Sequence, residues 1–260
     1  MTHKIDMMVL SYLSQAHHFL SQQGFYPVFL STLLCFGLFA GRVYISRTWI
    51  FYFLLWNLFL AWIPYLGSLW AVYLHRTYPG RWWLLLFPGI LSVAFFPNAP
   101  YIVTDFLHLA DRPPVPFWYD IGMLTSFAWT GVILAIYALR ILQTILKSLV
   151  GTLLSWVFAV GVLGLSGMGI YMGRFLRWNS WDLLIQPKAI LYDVAGRLRD
   201  PLGNPRTFGV TLLYAALILV CYLALTAGPS APKERETPAV QPLIAAIPQE
   251  EQALGETETA

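Results

Sequence analysis

The sequence predicts an all-α integral membrane helix bundle of about six transmembrane helices, with a surface amphipathic helix after the fifth. Three observations carry that expectation. Hydrophobic residues fill 58% of the 260 positions and charged residues only 11%, against roughly 25% charged in soluble domains. The apolar residues fall in runs long enough to cross a hydrocarbon core about 30 Å thick, which takes about 20 residues of helix. The charged residues stand between these runs or near their ends.

In chain order, spans are predicted near 25–41, 49–74, 82–104, 117–139, 149–172 and 207–227. Pro64 interrupts the second, and Pro88, Pro97 and Pro100 interrupt the third, since proline lacks the amide that a helix uses. Residues 1–24 read as an N-terminal interfacial helix, with Ile5, Met8, Val9, Tyr12, Leu13 and Phe19 near one face. His17 and His18 are adjacent and point in different directions on a helix, so ordinary exposure is preferred to metal binding there. The first span lacks a small-residue cleavage site and is expected to remain as an uncleaved helix. Residues 25–227 form the six-helix transmembrane domain. From 228 to 260 the chain carries Pro229, Pro232, Pro238, Pro242, Pro248 and six glutamates, a composition that reads as a disordered tail.

Several classes drop out. The net charge of +3 comes from scattered residues with no basic stripe, so nucleic acid is not an expected partner. Cys35 and Cys221 sit inside apolar runs, and two such cysteines make neither a disulfide framework nor a zinc site. No cofactor and no metal is expected.

Two loops hold the chemistry. FFPNAPYIVTDFLHLAD, from Phe95 to Asp111, closes the third span, and GRFLRWNSWD, from Gly173 to Asp182, follows the fifth. Loops after odd-numbered spans emerge on one face of the membrane. That parity also brings Asp120, at the start of the fourth span, to the same side. The candidate polar cluster is therefore Asn98, Asp105, His108, Asp120, Arg174, Arg177, Asn179 and Asp182, with Asp111 nearby.

The strings NAPYIVTDFLHL and GIYMGRFLRWNSWD resemble the two signature stretches of an uncharacterised family of bacterial multi-pass membrane proteins, domain of unknown function 1361. The resemblance extends over most of residues 30–225. It implies a location in the bacterial plasma (inner) membrane and marks Asn98, Pro100, Tyr101, Asp105, His108, Arg174, Arg177, Asn179 and Asp182 as motif positions. It names no activity and no substrate.

Each motif has a chemical and a plainer reading. Pro97 and Pro100 free carbonyls near Val93 and Phe96, which must then face protein, water or a ligand. A broken helix lining a polar pocket fits, with Asn98 extending the polar patch, although a helix that stops at the interface is the simpler reading and is preferred. Asp105, His108 and Asp111 are spaced i, i+3, i+6 and would share a side of a continued helix. Such a pair suits a carboxylate orienting an imidazole, for metal or acid/base work, and structural hydrogen bonding is preferred. Arg174 and Arg177 end the fifth span, beside the interfacial aromatics Trp178 and Trp181. They could grip an anionic head group through guanidinium forks, or pair with Asp105, Asp120 or Asp182, which is preferred.

Beyond the motif, Pro187 suits a first helical position. Ile190, Leu191, Val194 and Leu198 share one face, and Asp193 and Arg197 are spaced i, i+4. This is the expected surface helix. In the fifth span Gly161, Gly164, Gly167, Gly169 and Gly173 suit close helix contact.

Binding, assembly or organisation in the membrane asks least of these residues. An enzyme acting on a lipid-linked or anionic head-group substrate fits the polar cluster, although spacing specifies no nucleophile–base pair. A small-solute transporter normally carries ionisable groups deep in the bilayer, and the spans are nearly free of charge. Membrane lipids are the expected partners, with an anionic head group or lipid-linked ligand at the motif face, and no protein partner is specified. Lys and Arg number nine on the motif side and seven on the other, termini included, so the positive-inside rule assigns no orientation.

Overall fold

The computed structural model describes residues 13–178, 182–200 and 202–226. Of the N-terminal stretch, 13–22 is helical, while Ile5, Met8, Val9 and Tyr12 lie outside the described residues, as does the tail from 227 onward. Six helices are long and apolar enough to cross a membrane: α1 (Phe25–Ser46), α2 (Tyr52–Thr77), α3 (Trp82–His108), α4 (Phe117–Val150), α5 (Thr152–Leu176) and, after a shorter α6 (Pro187–Arg199), α7 (Pro205–Thr226). No β-strand occurs among the described residues. The fold is the all-α membrane bundle that the apolar runs imply.

α4 is the central column and touches α1, α2, α3, α5 and α7. Its 34 residues run about 51 Å at 1.5 Å per residue, well beyond the hydrocarbon thickness. Phe127, Leu134, Ala135, Ala138 and Leu139 are fully buried along it. The outer helices instead turn large apolar side chains outward, Leu30, Trp56, Ile90 and Leu153 among them. Water would oppose such a surface, whereas lipid accepts it.

Side-chain contacts agree with alternating helix directions. At one end, Arg42 near the close of α1 meets Asp120 at the start of α4, and Asn57 near the start of α2 meets Asp105 at the close of α3. At the other, Gln22 before α1 meets Arg76 at the close of α2, and His75 meets Ser148 near the close of α4. The first end is the motif face.

α3 does not stop at its prolines, contrary to the simpler reading. It runs as a 3-10 turn (Trp82–Leu85), an α-helix (Leu86–Phe95), a short helix (Asn98–Tyr101) and a 3-10 helix (Ile102–His108). The freed carbonyls find local donors: the Phe96 amide reaches Val93 O at 3.2 Å, the Ala99 amide Phe96 O at 3.2 Å, and the Asn98 side-chain amide Phe95 O at 3.0 Å. Pro64, by contrast, lies inside a continuous α2.

The glycines of α5 divide. A Cβ at Gly167 would collide with the Thr211 backbone of α7, one at Gly169 with Pro97, and one at Gly173 would press on Tyr101. Those three allow close approach. Gly161 and Gly164 face open space, so the expectation of close contact fails for them.

Candidate functional site

The 3-10 geometry of Ile102–His108 explains why its polar residues converge. With three residues per turn, positions i and i+3 eclipse, so Tyr101, Thr104 and Asp105, and His108 turn toward α5. Arg174 meets all four. Its guanidinium donates to Asp105 Oδ1 at 2.5 Å, to Thr104 Oγ1 at 2.5 and 2.9 Å and to His108 Nε2 at 3.0 Å, and it lies 4.7 Å from the centre of the Tyr101 ring. Asn57 of α2 donates to the other oxygen, Asp105 Oδ2, at 2.8 Å. Asp105 is 1% exposed. A carboxylate so buried persists only when its oxygens are met by donors and a countercharge, and here both are supplied.

Arg174 arrives there through an irregularity. The last turn of α5, Met172–Leu176, is π-helical and ends at Arg177 in the left-handed region, φ 61°. Turns of this kind often mark functional positions. The clasp between the two motifs is therefore Arg174 with Asp105. Arg177 is exposed and takes no ion-pair partner among the described residues, so it does not share that role.

Asp120 is also engaged elsewhere than expected. It accepts from Arg42 Nε at 2.8 Å and Nη2 at 3.2 Å, and the two side chains are 2% and 1% exposed. Arg42 also stacks 4.4 Å from the centre of the Phe51 ring, and Arg112 covers the same ring at 5.1 Å. Arg112 donates to the His108 carbonyl at 3.0 Å, and the His108 ring packs on Phe53 at 4.8 Å. The motif face thus holds two neighbouring ion pairs, each with a buried carboxylate, not one eight-residue cluster. Asp111 is exposed. Asp182 begins a short helical turn, Asp182–Ile185. Asn179 and Trp181 lie outside the described residues.

The residues that sequence reasoning missed are Arg42, Asn57 and Thr104. Asn57 carried a signal, since an amide inside an apolar span is costly unless it is paired. Arg42 stands one position beyond the predicted end of the first span.

Beside the clasp opens a cavity of about 1120 Å³ between α2, α3, α4, α5 and α6. Near the motif face its walls include Asn57, Asn98, Tyr101 and Trp178. Farther in they are apolar, from Val93 and Leu165 to Phe158 and Val150. Along α5 it extends from Gly173 to Phe158, about 22 Å at helical rise. α6 closes one side with Ile190, Leu191 and Val194. It is tied down by the Trp178 indole, which donates to Asp193 Oδ2 at 2.8 Å, while Arg197 pairs with Asp193 at 3.7 Å. Among the described residues no three His, Cys, Asp or Glu gather as a metal site would need.

Six spans with paired charges at one end define a multi-pass helical membrane protein. The chain belongs to the family described as "Protein of unknown function (DUF1361)", whose model matches residues 56–221. No match is found among curated proteins or among solved structures.

Proposed function

We propose that this protein binds a single amphiphile in the bacterial plasma membrane, its anionic head at the motif face beside Arg177 and its apolar chain in the cavity between α3, α5 and α6. The carrying observation is the cavity, apolar along most of its length and polar only at the Asn57, Asn98 and Tyr101 end. Sites of this build take molecules with one apolar body and a few oriented polar groups. Arg174 is committed to Asp105, whereas Arg177, exposed and next to Trp178 of the cavity wall, is placed to meet a phosphate or carboxylate. The bound species acts as a partner to be held or organised. A general-base role for His108 is less well supported, because its Nε2 lone pair accepts from Arg174.

Native mass spectrometry of the gently extracted full-length protein tests this reading. Gly89 lines the cavity and a Cβ there meets nothing within 4 Å, so Gly89→Phe puts a ring into the path of the apolar chain with little strain on the fold. Gly161 is equally open but does not line it. The natural protein and Gly161→Phe are each expected to retain one amphiphile more per chain than Gly89→Phe. Equal retention in both variants, or none in the natural protein, refutes the proposal.

A further inference from the structure

The face opposite the motif has a charge distribution of its own. All six acidic residues among the described ones, Asp105, Asp111, Asp120, Asp182, Asp193 and Asp200, fall on the motif side of the chain's alternation. Arg76, Arg81, Arg140 and Lys147 fall on the other side, where no acidic residue is described. Four cations there have no countercharge from the described chain.

Two of them share a cleft. Between the ends of α2 and α4 lies a recess of about 330 Å³ lined by Arg76, Arg140, His75, Tyr137, Gln22 and Thr144 among others. Arg76 donates to the Gln22 side-chain oxygen at 3.1 Å and lies over the Phe19 ring at 5.5 Å, neither of which neutralises it. The Arg140 guanidinium and the Tyr137 hydroxyl have no hydrogen-bond partner among the described residues. His75 is joined to Ser148 at 3.2 Å, which fixes its ring at the rim.

Depth identifies what fills such a recess. Asp120 and Arg140 stand 20 positions apart on α4 with no charged residue between them, about 30 Å of helix, which is the hydrocarbon thickness. With Asp120 at one interface, Arg140 lies at the other, level with lipid phosphates. Basic pockets between transmembrane helices at that level suit anionic head groups, and guanidinium forks match phosphate oxygens.

We infer that the cleft formed by Arg76, Arg140 and Tyr137 is a binding site for the phosphate of an anionic phospholipid, on the membrane face opposite the motif and independent of the amphiphile site proposed above.

The test uses full-length protein in detergent, exchanged into mixtures of phosphatidylglycerol and phosphatidylcholine and read by native mass spectrometry and thermal unfolding. The double variant Arg76→Gln/Arg140→Gln is expected to lose at least about tenfold in preference for phosphatidylglycerol, as removal of two interfacial cations implies. Thr144→Glu, which adds a carboxylate to the cleft and keeps both arginines, should do the same if the double variant fails to fold. Arg81→Gln, on the same face but outside the cleft lining, should leave the preference unchanged. If the preference follows Arg81→Gln instead, it reports the charge of the whole face and the inference falls. Equal preference in the natural protein and both cleft variants overturns it. Stabilisation by inorganic phosphate without lipid, abolished by the cleft variants, would assign the site to a soluble anion and overturn the lipid assignment.

Discussion

Arg42 and Asp120 meet at 2.8 Å with almost nothing of either side chain exposed, so an ion pair out of water joins the end of α1 to the start of α4. Breaking such a pair from one side costs about 3–5 kcal/mol, because a charge is left buried without its partner. Arg42→Ala is expected to lower stability in detergent by that order. Adding Asp120→Ala should restore part of the loss, since the second change removes the stranded carboxylate. Thermal unfolding of both variants checks this, and strictly additive losses would contradict it.

The second pair predicts an ordering between the two motif arginines. Arg174→Ala leaves Asp105 with Asn57 as its remaining partner and should destabilise by about 2–4 kcal/mol, less than Arg42→Ala. Arg177→Ala should leave unfolding nearly unchanged, as surface substitutions do. If Arg177→Ala proves the more damaging of the two, the assignment of the clasp to Arg174 is wrong.

Helix contact at Gly167 gives a third expectation. Any side chain there must displace the Thr211 backbone, and overpacking of this kind costs about 1–3 kcal/mol or more. Gly167→Leu should therefore unfold early or lose α7 packing, seen as faster proteolysis near 205. Gly161→Leu should behave like the natural protein. Equal behaviour of the two variants would remove the contact.

Topology is checked by cysteine labelling. Cys35 is buried and Cys221 half-buried, so both should resist an impermeant thiol reagent. A single cysteine introduced at Asp111 or Arg199 is expected to react from one side of the membrane, and one introduced at Arg81 or Ser148 from the other. Labelling of Asp111→Cys and Arg81→Cys from the same side would undo the alternation on which both proposed sites rest.

The bundle was legible in the sequence because lipid imposes a length. Apolar runs near 20 residues leave few alternatives, and all six predicted spans correspond to helices, with α4 extending to Val150 where 139 was expected. The limits of α3 were less legible. Pro97 and Pro100 signal a break, but nothing local says that Asn98 and the Phe96 and Ala99 amides will satisfy the freed carbonyls and let the chain run on to His108.

The site was legible only in its outline. Parity placed Asp105, His108 and Arg174 on one face, and the 3-10 turn brings them into contact. Parity says nothing about lateral position, however, and Asp120 could be matched with any cation at its depth. Its partner is Arg42, 78 residues away in sequence. The cavity was out of reach for the same reason, being walled by five helices whose mutual placement no single run of residues encodes.

The π turn at Met172–Leu176 has a consequence for how the second motif can vary in length. Its hydrogen bonds span one residue more than an α-turn does, as the Arg177 amide does in reaching Met172 O. α5 therefore holds one extra residue just where Arg174 must face Thr104 and Asp105. Removing one residue would return the turn to α geometry and rotate everything beyond it by about 100°, the angular step of a helix. Arg177, Trp178 and the approach to α6 would all change direction while the body of α5 stayed in place. Spacing between the glycine stretch and the tryptophan is thus a dial that sets the orientation of the exposed arginine, separately from the composition of either segment.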